Sequence, residues 1–213
     1  MEFDKNAIEN YLKSMQDNNH RFKSWEHCYL AYGNSNNEDY LSLNLAFYLA
    51  SWGMYRGGCG LLWKDYKIHI DAVKVINSYK HLRDKEWLGL VDVKNIMEVF
   101  EKLKDVYEKI IFHNPKREFE EKISATDTLI TKILLGTLGC VPAFDRCFKD
   151  GYELYTNKSF DEKILESIIK FIAINKGSIE ESQQMIYSQI GCHYPPMKIV
   201  DMCFWQKGFE KLK

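Results

Sequence analysis

From Val93 onward, apolar residues return at three- and four-residue steps: Ile96, Val99, Phe100, Leu103, Val106, Tyr107 and Ile110, with Lys94, Glu98, Glu101, Lys102 and Glu108 between them. That spacing turns one face of an α-helix toward a core and leaves the other in water. The predicted helix stops at His113-Asn114-Pro115, because a proline biases the residue before it away from helical geometry. Phe160 to Ile174 repeats the pattern with Ile164, Leu165, Ile168, Phe171 and Ile172 inward, Ser159 as its cap and Gly177 beyond its end. Further helices are predicted near 5–16, 39–55, 64–81, 127–138, 178–190 and 197–210. Clusters of Gly, Asn, Ser and Pro at 33–39, 57–60, 139–142 and 191–196 mark the loops between them. No stretch alternates apolar and polar for long enough to support a sheet, so the expected fold class is all-α.

The 213 residues are 46% hydrophobic and 14% aromatic, with four prolines, twelve glycines and no repeat or low-complexity tract. One compact unit over 1–213 is expected, wide enough for two small helical lobes that share a core. The six cysteines form no C-x-x-C pair and the chain opens on MEFDKNAIEN without an apolar leader, which together predict a reduced, cytoplasmic setting. The longest apolar stretches, 41–63 and 130–144, are broken by Arg56 and by the Gly-Cys-Val-Pro turn, so no membrane partner is expected. A net charge of −1 gives no global footprint for nucleic acid. Local groups of basic residues are the remaining option: Lys198, Lys207, Lys211 and Lys213, or Lys116 and Arg117.

Candidate chemistry centres on ATDTLITKILLGTLGCVPAFDRCF, residues 125–148, an apolar run that ends at Pro142 and delivers Asp145 directly after it. This arrangement resembles the helix-hairpin-helix superfamily of DNA base-excision glycosylases, in which a V-P-x-x-D loop after an apolar helix presents the catalytic aspartate. LNLAFYLASWGMYRGGCGLL, residues 43–62, is similar to the family's early helix and substrate-facing turn. KIVDMCFWQKGFEKLK, residues 198–213, looks like the C-terminal helix of the archaeal-type 8-oxoguanine glycosylases. The resemblance implies a two-lobed helical bundle with Asp145 as the catalytic residue. It further implies Trp52, Tyr55, Arg56, Asp201 and Trp205 as substrate-binding residues, and DNA, a nucleobase or a nucleotide as the partner. No cofactor is implied.

The chain departs from that family at two places. Where the family carries a glycine-rich hairpin that binds phosphate, this sequence reads Lys122-Ile123-Ser124-Ala125-Thr126-Asp127, and a backbone without glycine approaches a phosphate poorly. Where bifunctional members carry a lysine nucleophile, Asp127 stands. The implied activity is therefore simple base hydrolysis without lyase chemistry, with Asp145 stabilising an oxocarbenium-like sugar. Simpler roles exist for the same residues. Asp127 with Thr126 and Ser124 is a helix-start signal, Asp145 can cap the next helix, and Trp52, Trp63 and Trp205 can be core residues.

Two readings from other classes stand beside this one. A non-catalytic nucleotide-, nucleic-acid- or protein-binding module of the same fold needs no nucleophile or base. Arg21 and His27 in HRFKSWEHCY resemble the R-x(4–6)-H signature of HEPN-type ribonucleases, dimeric all-α proteins in which both side chains act on RNA. No metal site is expected, since the histidines form no H-x-x-x-H or H-E-x-x-H pair. Cys59 and Cys140 read as small buried thiols.

Overall fold

A computed structural model describes the chain except for residues Met1, Gln16, Asn18, Gly57, Asp84, Pro115, Lys116, Glu118 and Lys213. Its α-helices are α1 (Lys5–Ser14), α2 (Ser24–Asn34), α3 (Glu38–Ser51), α4 (Ile70–Ser78), α5 (Val93–Glu108), α6 (Asp127–Thr137), α7 (Arg146–Gly151), α8 (Glu162–Ile174), α9 (Lys176–Ile190) and α10 (Pro196–Glu210). Short 3-10 turns join several of them. A two-stranded antiparallel ribbon, β1 (Ile111–His113) with β2 (Glu120–Lys122), lies between α5 and α6 and pairs Phe112 with Glu121. The all-α class is thus observed, with this ribbon as the sheet component among the described residues. No helix among them is long and apolar enough to cross a membrane.

Side-chain caps set half of the α-helix starts. Asp4, Asn37, Thr126, Asp145 and Asp161 each accept a hydrogen bond from a first-turn backbone N–H of α1, α3, α6, α7 and α8 respectively. Each such bond satisfies a donor that the helix itself cannot, and is worth about 1 kcal/mol. The cap of α8 is therefore Asp161 rather than Ser159, and Gly177 falls inside α9 because α8 already ends at Ile174. The long amphipathic helix likewise stops at Glu108, earlier than its apolar spacing implies. Ile111 and Phe112 go into β1, and the Ile110 carbonyl accepts from Ile123 N–H at 3.0 Å.

Two helices occupy the centre. Every residue of α6 from Leu129 to Thr137 is buried, as are Pro196 to Gln206 and Gly208 of α10. The α6 helix packs against α2, α3 and α5, whereas α10 packs against α1, α7, α8 and α9. The N-terminal α1 thus joins the C-terminal helices. Gly139, with φ of +63°, ends α6 and donates its N–H back to the Leu134 carbonyl at 2.8 Å, which turns the chain sharply toward Pro142.

Where α7 crosses α10, the two backbones touch at a pair of glycines, beside the edge-on contact of Phe148 with Phe204 at 6.0 Å. A Cβ added to Gly151 would lie 1.8 Å from the Phe204 carbonyl oxygen, and one added to Gly208 would lie 1.8 Å from that of Cys147. Only glycine lets two helix backbones approach so closely. This contact places α7, with Asp145 at its head, across the C-terminal half of α10.

Candidate functional site

The loop from α6 to α7 and the buried face of α10 bring together residues distant in sequence. Asp145 Oδ1 accepts from Phe148 N–H at 3.1 Å as the cap of α7, while Oδ2 takes the Lys132 ammonium at 2.9 Å. Lys132 projects from the second turn of α6 and its side chain is 5% exposed, against 16% for Asp145. On α10, the Lys198 ammonium lies 3.0 Å from Asp201 Oδ2 and 3.3 Å from the Tyr11 hydroxyl, and the two side chains are 2% and 5% exposed. Asp201 Oδ1 accepts from Ala143 N–H at 3.0 Å, which ties α10 to the loop that carries Asp145.

Both ammonium groups face the same indole. Lys132 Nζ is 5.1 Å and Lys198 Nζ 5.8 Å from the Trp52 ring, and the Arg21 guanidinium is 5.0 Å from it. Trp52 stacks on Phe22 at 5.0 Å and meets Trp205 edge-on at 5.7 Å. Its own Nε1–H is buried without a partner. Cations near aromatic faces are favourable, the more so when desolvated. Even so, an unpaired indole donor beside two buried ion pairs is a costly arrangement for a core that needed only to be packed.

Burial works against the charge on Lys198, but Tyr11 and Asp201 outweigh it and hold its pKa above the ordinary lysine value. Burial also pushes the Asp201 carboxyl up, opposed by Lys198.

The structure thus places Trp52, Asp145, Asp201 and Trp205 around one centre, linked by two lysines. Tyr55 and Arg56 go elsewhere. The chain leaves α3 at Trp52, turns at Gly53 with φ of +78°, and directs the Tyr55 hydroxyl to His69 Nε2 at 2.9 Å. On the other side of that ring, His69 Nδ1 meets the buried Tyr107 hydroxyl at 2.6 Å. Burial pushes the His69 pKa down to about 3, so the ring is neutral and offers one donor and one acceptor. The neutral ring thus bridges the buried Tyr107 hydroxyl and the half-buried Tyr55 hydroxyl, donating to one and accepting from the other. Arg56 is exposed, with its guanidinium folded back over Gly53.

Other sequence candidates resolve more simply. Asp127 is the first residue of α6, accepts from Phe160 N–H at 2.8 Å and pairs with Lys104 at 3.3 Å, so it joins three helices. Thr126 supplies the cap itself. Trp63 is 40% exposed and is not a core residue. Cys140 is buried, its thiol pushed up to about 12 by desolvation. The Cys59 Sγ–H donates to the Met54 carbonyl at 2.7 Å.

The C-terminal basic group does not form. Lys198 is internal, Lys207 donates to the Glu2 carbonyl and Lys211 to that of Asp150, while Lys213 and Lys116 lie outside the described residues. Arg117 pairs with Glu121 at 2.8 Å. Arg21 and His27 line one surface recess, where Arg21 Nη1 donates to the Ser51 carbonyl at 3.1 Å. No group of three or more metal-ligating side chains occurs among the described residues.

Lys132 was not a sequence candidate. Its signal was there: a single charge inside the apolar run LITKILLGTL, where a lysine has to find a partner. Comparison with known protein families, with curated proteins and with solved structures finds no match to this chain.

Proposed function

We propose that this protein is a helix-hairpin-helix glycosylase-like hydrolase that cleaves the N-glycosidic bond of a nucleotide in DNA, with Asp145 as its catalytic carboxylate and no lyase step. The single observation that carries this reading is the convergence of Asp145 with Trp52, Trp205 and Asp201, drawn from three separate segments, around two buried lysines. The indole of Trp52 carries an unpartnered N–H. A base with a ring nitrogen or carbonyl could accept from that N–H. Ion-paired to Lys132, Asp145 remains an anion that can stabilise positive charge developing on the sugar. The helices divide between those around α6 and those around α10, which supports a two-lobed arrangement with Asp145 where the groups meet.

The connection between α5 and α6 is a β-ribbon rather than a tight glycine hairpin, so the strand must be held by other contacts. Asp127 is committed to Phe160 and Lys104, which favours hydrolysis over Schiff-base chemistry at that position. The alternative is a non-catalytic base- or nucleotide-binding module, favoured by the engagement of both Asp145 oxygens in bonds within the protein.

Single-turnover incubation with damaged duplexes and single strands, followed by alkali to reveal abasic sites, tests the reading. Base release that disappears in Asp145→Asn is expected. Release that persists in a folded Asp145→Asn protein overturns the mechanism. No release from any substrate would favour the binding module.

A further inference from the structure

We propose that the surface between α2 and α3 is a docking strip for single-stranded nucleic acid, with a phosphate-binding end and an aromatic base-stacking floor. The strip starts in a recess of ≈ 220 Å3 lined by His20, Arg21, Lys23 and His27, with Phe47 at its edge. It continues into a groove of ≈ 490 Å3 that shares His27 and Phe47 and runs to Tyr40. None of the described residues lining either hollow is a carboxylate.

Of the carboxylates on the two helices, Glu38 lies in the first turn of α3 outside both linings, and the other two are engaged elsewhere. Glu26 accepts from the Tyr194 hydroxyl, and Asp39 accepts from Tyr66 at 3.0 Å. Asp17, at the rim, accepts from Asn19 N–H at 2.9 Å. In a chain whose net charge is −1, a hollow lined by Arg21, Lys23 and two histidines with no acid is a local reversal of sign.

The donors are held in position. The His20 Nδ1 atom accepts from Phe22 N–H, which fixes the neutral tautomer and leaves Nε2–H as a donor. Arg21 is anchored through one guanidinium N–H to Ser51, with the remaining N–H groups of the fork available to a phosphate oxygen. Ser24 also lines the recess, is 2% exposed, and its hydroxyl has no partner.

Beyond this end, Phe47 is 54% and Tyr40 49% exposed on one face of α3. Two large exposed rings next to a basic recess match the way single strands are held, by backbone charge and base stacking together. Duplex DNA, its bases paired and internal, cannot use the aromatic floor.

This inference is independent of base excision, and the test separates the two. Fluorescence anisotropy would follow a labelled oligothymidylate and a labelled duplex at several salt concentrations, using wild type, Phe47→Ala, Lys23→Gln and Gly177→Ala. All of the strip substitutions are at the surface, and circular dichroism melts check that the fold is kept. Preference for the single strand is expected, with Phe47→Ala weakening it about 5- to 100-fold. Lys23→Gln is expected to lower the salt slope by about 0.7. Gly177→Ala, remote from both the strip and Asp145, is expected to bind as wild type does, whether or not base release is found. Equal affinity in wild type and Phe47→Ala overturns the proposal, as does preference for duplex or absence of binding at low salt. So does a concentration-dependent dimer in sedimentation that Phe47→Ala dissolves, since a second copy would then be the occupant.

Discussion

The Lys132 ammonium sits 2.9 Å from Oδ2 of Asp145, and both side chains are largely withdrawn from water. An ion pair so placed gains little net stability by existing but loses much when one member goes, because the other is left charged and buried. Asp145→Asn therefore does more than remove an anion. It should lower stability by about 3 kcal/mol, although asparagine can still cap α7. Lys132→Gln/Asp145→Asn should recover part of that loss, since no orphan charge remains, and urea melts of both variants give the comparison. A folded double variant is also the sounder protein for the activity assay.

The second pair offers a parallel measurement. Lys198→Met leaves Asp201 without its cation at a fully internal position and should cost about 3 to 5 kcal/mol. Adding Asp201→Asn should restore a substantial part, because a neutral amide oxygen can still accept from Ala143 N–H. Equal melting of the single and double variants would show that the charge on Asp201 is not what the lysine offsets.

Asp127→Asn should behave mildly by comparison. One side-chain oxygen remains to accept from Phe160, and the longer contact with Lys104 is worth under about 1 kcal/mol at this partly exposed site. A thermal midpoint close to wild type is expected. A large drop would mean that the junction of α5, α6 and α8 depends on that carboxylate's charge.

Stability should also depend on His69. Its pKa is depressed to about 3 in the fold, so between pH 6.5 and 3 the unfolded chain binds a proton that the folded chain does not. Stability is therefore intact above pH 6.5 and is lost as pH falls through that window, at up to about 1.4 kcal/mol per pH unit from this group. His69→Gln, which keeps a donor and an acceptor, should flatten the profile. Chemical denaturation between pH 7.5 and 4.5 reads the difference, and parallel profiles would show that His69 is not held neutral.

Gly151→Ala and Gly208→Ala should each cost about 3 kcal/mol or more, since the added methyl group meets backbone and no side chain can move aside. Gly177→Ala is the control: nothing lies within 4 Å of a Cβ there, and α9 should gain slightly in stability.

The sequence shows the amphipathic helices best, because α5 and α8 bury one face and keep the other wet. It shows α2 least. That helix packs against both α3 and α6, so Trp25, Cys28, Tyr29, Ala31 and Tyr32 are buried on more than one side and no single apolar stripe forms. The β-ribbon was hidden by Ile110-Ile111-Phe112, which continues the apolar helical spacing beyond the point where the backbone changes.

Of the candidate site, Trp52, Asp145, Asp201 and Trp205 were legible from their segments. The lysines that join them were not. Local pattern treats Lys132 as an interruption and Lys198 as part of a charged tail, and only tertiary packing shows each to be internal. Tyr55 and Arg56 share a segment with Trp52, but the turn at Gly53 sends the three side chains to different places.

The bare contact between Gly151 and Gly208 has a mechanical consequence. Asp145 and Asp201 ride on two backbones that touch directly at Gly151 and Gly208, so no rotamer change at that crossing can alter the spacing of their helices. The two carboxylates therefore stand on one fixed jamb.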